Sequence, residues 1–300
     1  MQKAILDIGT NSLKFFIYDI NESIREKNQI FHQKFEARLG KDFNHETGEI
    51  NETSLQNVIA TLHEIKTLAQ HYEAPEILAF GTEVFRKAKN ADQVLARIQN
   101  ETGIAIQVFS PQEELERYRK GLMRDFDYEG IVATIDIGGG SVQFMRGDKN
   151  ALQGKLQYST GALFLREKFI KSEPPTEAEY AAIEQYINDQ IQDLDITFPP
   201  ETPFVHGSSS VIDFFTEAGI PMQTFSHSPS HPYLVPIATV EAFYKKVRCL
   251  PPEERAKVFP SHPQFMDGAP IGFANVLAIA KKCWLTNDVP SNNNIINGFL

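Results

Sequence analysis

A six-residue motif that occurs twice constrains the fold of this chain more than any other feature. Residues 7–12 read D-I-G-T-N-S, and residues 136–141 read D-I-G-G-G-S. A short apolar run precedes each copy and a strand-like run follows it, so each copy predicts a β-hairpin with a glycine-containing turn. The two copies lie about one domain length apart. The repeat therefore predicts two related domains, each of which opens with a hairpin.

Helical and strand patterns alternate between the two motifs. The predicted elements are a helix over 54–72, a strand over 76–80, a helix over 91–100, a strand over 104–109 and a helix from 111 to about 125. Such alternation is typical of an α/β fold. The length of 300 residues suits two domains, since a domain usually has about 100–200 residues. We place these domains at 1–123 and 124–300.

The second half of the chain has a less regular pattern. It predicts a short strand at 204–205 and helices over 176–194, 211–218, 240–250 and 271–284. Residues 221–238 are rich in Pro, Ser and His and predict a loop. Residues 287–297 contain five Asn and predict a mobile tail.

The overall composition excludes several classes of protein. A net charge of −10 and a pI near 5.3 argue against a general nucleic-acid binder, which needs a basic face. No apolar run approaches the roughly 18–20 residues of a membrane span, and the first residues lack a signal-peptide pattern. Cys249 and Cys283 make neither a disulfide framework nor a CxxC pair, which predicts a cytoplasmic protein. A homodimer is compatible with these features on general grounds.

The chemistry of the two turns predicts a phosphate site. A glycine turn exposes backbone N–H groups that can bind an anion. The aspartates that precede the turns, Asp7 and Asp136, can hold Mg²⁺, which favours a few carboxylates together with substrate phosphates. If the two loops face each other across an interdomain cleft, they hold a phosphate chain from both sides. The predicted phosphate-binding residues are Gly9, Thr10, Asn11 and Ser12 in the first turn, and Gly138, Gly139, Gly140 and Ser141 in the second.

Two better-known phosphate-binding motifs do not describe these turns. The chain has no GxxxxGK[ST] sequence, and each turn leads into a strand. Both the P-loop and the dinucleotide-binding fingerprint instead open a helix.

The motifs resemble the two phosphate loops of the exopolyphosphatase/guanosine pentaphosphate phosphohydrolase family of the actin-like ATPase superfamily. Residues 81–90, G-T-E-V-F-R-K-A-K-N, are similar to a family segment whose arginine contacts phosphate. Residues 110–114, S-P-Q-E-E, are similar to a helix start that carries a catalytic glutamate. Residues 207–210 stand where the family has a third glycine-rich loop. The resemblance extends over about residues 4–215 and implies two ribonuclease H-like domains.

The resemblance also implies Mg²⁺-dependent hydrolysis of a terminal phosphate from polyphosphate or pppGpp. Arg86 would hold a phosphate oxygen, which its planar guanidinium suits. Glu113 belongs to the capping box that Ser110 opens, which leaves Glu114 as the base that activates water. The alternative for Glu114 is an ordinary first-turn acid. The third loop would contribute Gly207 and Ser208.

One departure from the family keeps other functions open. The family follows its second motif with Thr-Glu, and that glutamate helps to hold metal and water, whereas this chain has Val142 and Gln143. Gln143 keeps the size but loses the charge, so it could still orient water by hydrogen bonding. The alternatives are therefore a regulator that binds polyphosphate or guanosine tetra- or pentaphosphate, or an ATP-using kinase or ATPase of the same superfamily.

Overall fold

The computed structural model describes residues 2–9, 12–21, 26–36, 39, 48–124, 128–199, 201–208, 210–225 and 233–300. They form two compact units. Unit 1 comprises Met1–Tyr118 together with Ile295–Leu300, and unit 2 comprises Arg119–Asn294. The division falls inside a helix, and residues 295–300 return to unit 1. The predicted limits 1–123 and 124–300 do not include this return.

Unit 1 is built on a mixed five-stranded sheet of order β3-β2-β1-β4-β5. The β1–β2 and β2–β3 pairs are antiparallel, whereas β4 runs parallel to β1 and to β5. The strands are β1 (Gln2–Ile8), β2 (Leu13–Asn21), β3 (Glu26–Phe35), β4 (Ile77–Gly81) and β5 (Ile106–Val108). The helices are α1 (Glu52–His71), α2 (Glu83–Lys87), α3 (Ala91–Thr102) and α4 (Pro111–Met123).

The core of unit 1 lies on both faces of this sheet. On one face α1 buries an apolar stripe that includes Leu55, Val58 and Leu62, and Asn51 caps its first turn by accepting from Ser54 N–H at 2.8 Å. On the other face three aromatic rings stack, with centroids 5.0–5.8 Å apart. These rings belong to Phe80, Phe109 and Phe299.

Phe299 lies just after residues 287–297, which were predicted to form a mobile tail. That prediction for 287–297 was wrong. Residues Asn287–Ser291 form a strand of unit 2, and Ile295–Phe299 form a short 3₁₀ helix in unit 1. Buried contacts decide the outcome, since Ile296 and Asn297 are almost inaccessible to solvent.

Unit 2 contains a seven-stranded sheet of order β10-β11-β12-β9-β6-β7-β8. The strands are β6 (Val132–Ile137), β7 (Val142–Gly147), β8 (Leu152–Tyr158), β9 (Phe204–Gly207), β10 (Gln223–Thr224), β11 (Tyr233–Pro236) and β12 (Asn287–Ser291). The helices are α5 (Ala162–Phe169), α6 (Glu177–Gln190), α7 (Val211–Glu217), α8 (Ile237–Val247), α9 (Pro252–Ala256) and α10 (Ala269–Cys283), with a 3₁₀ helix at Pro263–Asp267.

Five strands of unit 2 repeat the order and directions of unit 1. The run β8-β7-β6-β9-β12 corresponds to β3-β2-β1-β4-β5, with two antiparallel pairs followed by two parallel ones. This confirms the predicted α/β class and the two related ribonuclease H-like domains. The predicted loop over 221–238 was partly wrong, because β10 and β11 lie in it, and residues 226–232 are outside the described residues. No helix in the described ranges has both the length and the apolar character of a membrane span.

Candidate functional site

The first predicted hairpin is formed by β1 and β2. Their register places Asp7 opposite Lys14, and the Lys14 ammonium lies 3.6 Å from an Asp7 carboxylate oxygen. The turn closes with a hydrogen bond of 3.0 Å from Gly9 N–H to the Ser12 carbonyl. A Cβ at Gly9 would lie 3.2 Å from that carbonyl oxygen, a tight contact that favours glycine at this position. The remaining predicted residues of this turn, Thr10 and Asn11, lie outside the described residues.

The second predicted hairpin, formed by β6 and β7, closes with the corresponding hydrogen bond. Gly138 N–H donates to the Ser141 carbonyl at 2.9 Å, and a Cβ at Gly138 would again lie 3.2 Å from the facing oxygen. The register places Asp136 opposite Gln143. In their described residues the two motifs thus share the same closing hydrogen bond and the same tight position for glycine.

The N-terminus of α5 supports the second turn. The N–H groups of residues 161–164 donate to the carbonyls of Gly138, Gly139 and Gly140 at 2.9–3.4 Å. The carbonyls are therefore directed toward α5. Among the described residues, none accepts a hydrogen bond from the N–H groups of Gly139, Gly140 or Ser141. The three glycines are exposed, so this turn presents consecutive free N–H donors of the kind that bind anions.

Sequence reasoning missed Gly161, which makes this support possible. A Cβ at Gly161 would lie 2.3 Å from Gly140 C and 2.4 Å from Ser141 N, so only glycine fits. The preceding residue, Thr160, is buried, and its carbonyl accepts from Asn275 Nδ2 at 3.0 Å. The sequence predictions included neither α5 nor the contact of Gly161 with the second turn, because that contact depends on the fold.

Gln143 belongs to a short row of polar side chains across β6, β7 and β8. The register aligns it with Asp136 on one side and with Gln157 on the other. Gln157 Nε2 donates to Ser141 Oγ at 3.4 Å. Gln143 Oε1 is buried and has no hydrogen-bond donor within the described part of the chain. Gln157 was also missed, since its strand carried no motif.

In unit 1 the predicted residues Arg86 and Glu114 form an ion pair. Arg86 Nη1 lies 3.0 Å from Glu114 Oε2 and also donates to the Phe109 carbonyl at 2.6 Å. The start of α4 positions Glu114. As predicted, Ser110 and Glu113 form a reciprocal capping box, with bonds of 3.2 and 2.9 Å. Glu113 is thereby occupied by the helix end, and Glu114 is available to face Arg86.

The electrostatic environments of these neighbouring glutamates differ. Burial raises the pKa of Glu114, Arg86 opposes the rise, and the negative charges of Asp7 and Glu83 add to it. Hydrogen bonds from Ser110 lower the pKa of Glu113. A glutamate with a raised pKa is a better proton acceptor near neutral pH. The arrangement suits Glu114, rather than Glu113, for general-base chemistry.

The third predicted loop follows β9. Ser208 N–H donates to the Ser291 carbonyl at 3.0 Å, so this N–H is used by the sheet. Gly207 ends β9, opposite Ser291 on β12. Just before them, His206 Nδ1 lies 3.6 Å from the fully buried Asp288 carboxylate. Burial raises the pKa of Asp288, although His206 opposes the rise.

The residues present allow a divalent cation but do not form a closed metal cage. No three His, Cys, Asp or Glu side chains within the described ranges are grouped so that they could hold a metal ion. Asp136 supplies one carboxylate, and the buried Gln143 Oε1 is an oxygen acceptor without a donor beside it. Oxygen ligands of this kind fit Mg²⁺, which usually keeps several waters and shares substrate phosphates.

A separate cavity of about 570 Å³ lies in unit 2 between α6, α8 and α10. Glu184, Tyr244 and Ala278 are among the residues that line it. None of the predicted site residues lines this cavity. The candidate site is therefore defined by its loops and side chains and not by this cavity.

Comparison with known families matches most of the chain to one of them. Residues 17–283 match the model of the Ppx/GppA phosphatase family. An exopolyphosphatase 1 from Mycobacterium leprae is 25% identical over 66% of this chain and 58% of its own length. A bifunctional 3-dehydroquinate synthase/phosphatase from Fusobacterium nucleatum is 29% identical over 56% of this chain and 26% of its own length. The chain thus spans about a quarter to a little over half of these relatives.

Solved structures show the same fold. The type II variant of the Aquifex aeolicus Ppx/GppA phosphatase superposes with a TM-score of 0.83 at 22% identity, covering 100% of this chain and 98% of its own. An exopolyphosphatase from Cytophaga hutchinsonii gives a TM-score of 0.75 at 20% identity, covering 99% and 96%. At these identities the likeness concerns the fold alone.

Proposed function

The chain belongs to the Ppx/GppA phosphatase family, and on that premise we propose that it is a phosphoanhydride hydrolase. It would remove the terminal phosphate from inorganic polyphosphate or pppGpp in the presence of Mg²⁺. The observation that carries the proposal is the second turn, where Gly139 and Gly140 are exposed and the N–H groups of residues 139–141 have no acceptor among the described residues. The names of the exopolyphosphatase relatives agree with this substrate class.

Phosphoryl transfer depends mainly on positioning and charge stabilisation. The N–H groups of the second turn, with Ser141 Oγ, would hold phosphate oxygens. Arg86 would neutralise charge on the transferred group. Its present partners, Glu114 and the Phe109 carbonyl, already fix the orientation of its guanidinium.

Glu114 would accept a proton from the attacking water. Its raised pKa, which burial causes and the Arg86 guanidinium opposes, favours this role. Asp136 and Gln143 Oε1 would hold Mg²⁺ in unit 2, and Asp7 is the carboxylate that could hold a cation at the corresponding turn of unit 1. Mg²⁺, when bound, would neutralise phosphate charge and polarise the phosphorus–oxygen bonds. Gln143 would orient water through its amide without accepting a proton.

Phosphate release tests this proposal. Purified protein would be incubated with long-chain polyphosphate, pppGpp or ATP, with Mg²⁺ or with EDTA. We expect release from polyphosphate or pppGpp with Mg²⁺, and a loss of at least about 100-fold in Glu114→Gln. Glu113→Gln is the matched control. It removes the neighbouring carboxylate, which belongs to the helix cap and has no proposed role in the reaction, so phosphate release should be retained. If the wild-type protein releases phosphate from neither polyphosphate nor pppGpp, it is not a hydrolase of this class.

A second function is favoured by the neutral side chain at position 143. Where the family has a glutamate, Gln143 lies opposite Asp136 without a negative charge. A regulator that binds polyphosphate or guanosine polyphosphates without turnover would tolerate this change. Tight binding without release, together with a gain of activity in Gln143→Glu, would identify this function.

A further inference from the structure

Each carboxylate of the candidate site in unit 1 lies beside its own cation. Lys14 lies 3.6 Å from Asp7, and Arg86 lies 3.0 Å from Glu114. Both carboxylates are mostly shielded from solvent, which strengthens these attractions relative to fully exposed pairs. The negative charge that could attract a divalent cation is therefore already balanced in this unit.

In unit 2, the candidate site pairs one acidic side chain with a neutral one. Asp136 lies opposite Gln143, and Gln157 follows in the same row. An amide oxygen can accept a cation but contributes no net charge, so it binds Mg²⁺ more weakly than a carboxylate does. The absence of a three-ligand group within the described ranges agrees with this charge balance.

The same part of unit 2 is already equipped for an anion. The carbonyls of Gly138, Gly139 and Gly140 are occupied by α5, which leaves the turn's N–H groups directed away from that helix. Gln157 Nε2 also donates to Ser141 Oγ in a long hydrogen bond of 3.4 Å at the edge of the turn. Such an arrangement needs no reorganisation to receive phosphate oxygens, and it needs no metal to do so.

We propose that the site binds the phosphate chain without Mg²⁺ and takes up Mg²⁺ only together with that chain. The bound phosphates would supply the negative oxygens that the protein lacks, and Asp136 with Gln143 would complete the coordination. This inference rests on the proposed function for the identity of the anion. It adds the order in which phosphate and Mg²⁺ bind, and it attributes this order to the neutral side chain of Gln143.

Titration calorimetry on the full chain tests the order directly. Tripolyphosphate is titrated in excess EDTA, and Mg²⁺ is titrated separately into protein without phosphate. We expect saturable tripolyphosphate binding in EDTA and no saturable binding of Mg²⁺ alone at about millimolar concentration, a level typical of weak cation sites. Tripolyphosphate binding that appears only with Mg²⁺, or saturable binding of Mg²⁺ alone, would overturn the inference.

Gln143→Glu tests the residue to which the order is assigned. The added charge should strengthen the binding of Mg²⁺ alone by about tenfold or more and weaken tripolyphosphate binding in EDTA. Gln93→Glu makes the same chemical change at an exposed position in the first turn of α3 and should change neither titration. Equal titrations for wild type and Gln143→Glu would remove residue 143 from the explanation.

These outcomes differ from those that test the hydrolase. Binding in EDTA without phosphate release under any condition would support the order of binding and reject the hydrolase. Phosphate release together with tripolyphosphate binding that strictly requires Mg²⁺ would support the hydrolase and reject the order of binding. No binding of tripolyphosphate in either condition would contradict both.

Discussion

The two DIG hairpins share the hydrogen bond that closes the turn and differ in the residue that faces the aspartate. In both, a glycine N–H bonds to a serine carbonyl three residues later, at 3.0 Å and 2.9 Å. Yet Asp7 faces a lysine, whereas Asp136 faces a glutamine. The turn geometry depends on glycine at one position. The net charge beside each aspartate depends on a strand residue outside the motif. Two similar motifs therefore have different local charges.

The largest expected effect comes from breaking the support of the second turn. In Gly161→Ala the added Cβ meets the backbone of Gly140 and Ser141, which cannot move aside as a side chain could. We expect tripolyphosphate binding and phosphate release to fall by about 100-fold, with a stability cost of about 1–3 kcal/mol. Calorimetry, release assays and thermal unfolding measure the three quantities.

Gly154→Ala is the matched control for that variant. It lies on β8 of the same unit, where a Cβ would meet only Ile196 at 3.9 Å, an ordinary contact. Its binding and release should stay within about twofold of wild type. Unchanged binding in Gly161→Ala would show that the turn does not need α5.

The pH dependence should distinguish the two aspartates. Burial and the Asp7 charge raise the pKa of Glu114. On the acid side, kcat/KM should therefore fall with an apparent pKa above the usual glutamate value of 4.5. Asp7→Asn removes a negative neighbour, so this limb should move to lower pH by a fraction of a unit up to about one unit. Asp136→Asn should lower the rate but leave the limb in place. Equal shifts in both variants would contradict the assignment.

Replacing Lys14 by glutamine would make the first hairpin resemble the second. At 3.6 Å a unit charge is worth about 1 kcal/mol in water, and screening of the half-exposed Lys14 reduces this. Because Mg²⁺ alone should not saturate the wild-type protein, we expect the unsaturated heat of binding at a fixed millimolar Mg²⁺ concentration to be about threefold larger for Lys14→Gln than for wild type. Calorimetry without phosphate measures the change, and Lys14→Arg should not show it.

The smallest expected effect concerns the fifth strand of each repeated sheet. β12 buries Asp288, whereas β5 consists of Ile106, Gln107 and Val108. Since the pKa of Asp288 is raised in the folded protein, folding stability falls as pH rises through that value. Asp288→Asn cannot ionise, so its Tm should exceed that of wild type by a few degrees at pH 8 and by less at pH 5. A gain in Tm that is larger at pH 5 than at pH 8 would contradict a raised pKa of Asp288.

Local patterns predicted much of the fold. Apolar periodicity located α1 and α3, and the S-P-Q-E segment located the start of α4 through its capping box. The repeat itself predicted both hairpins and hence the two related sheets. These features depend on residues that are close in sequence, which is why they could be read directly.

Features that depend on distant contacts could not be predicted. The asparagine-rich segment at 287–297 resembles a tail, yet β12 pairs with β9 far earlier in the chain. Gly161 and Gln157 act on the second turn only because α5 and β8 fold back to it. The pairing of Arg86 with Glu114 likewise joins two separate elements. The residue types of the site could be predicted, but their partners could not.

The return of residues 295–300 to unit 1 has a consequence for biosynthesis. Phe299 completes an aromatic stack with Phe80 and Phe109, but all of unit 2 lies between them in the chain. A ribosome therefore releases the whole of unit 2 before the last ring of this stack is available. During translation unit 2 has the opportunity to fold first, while unit 1 waits with one side of its sheet incompletely covered.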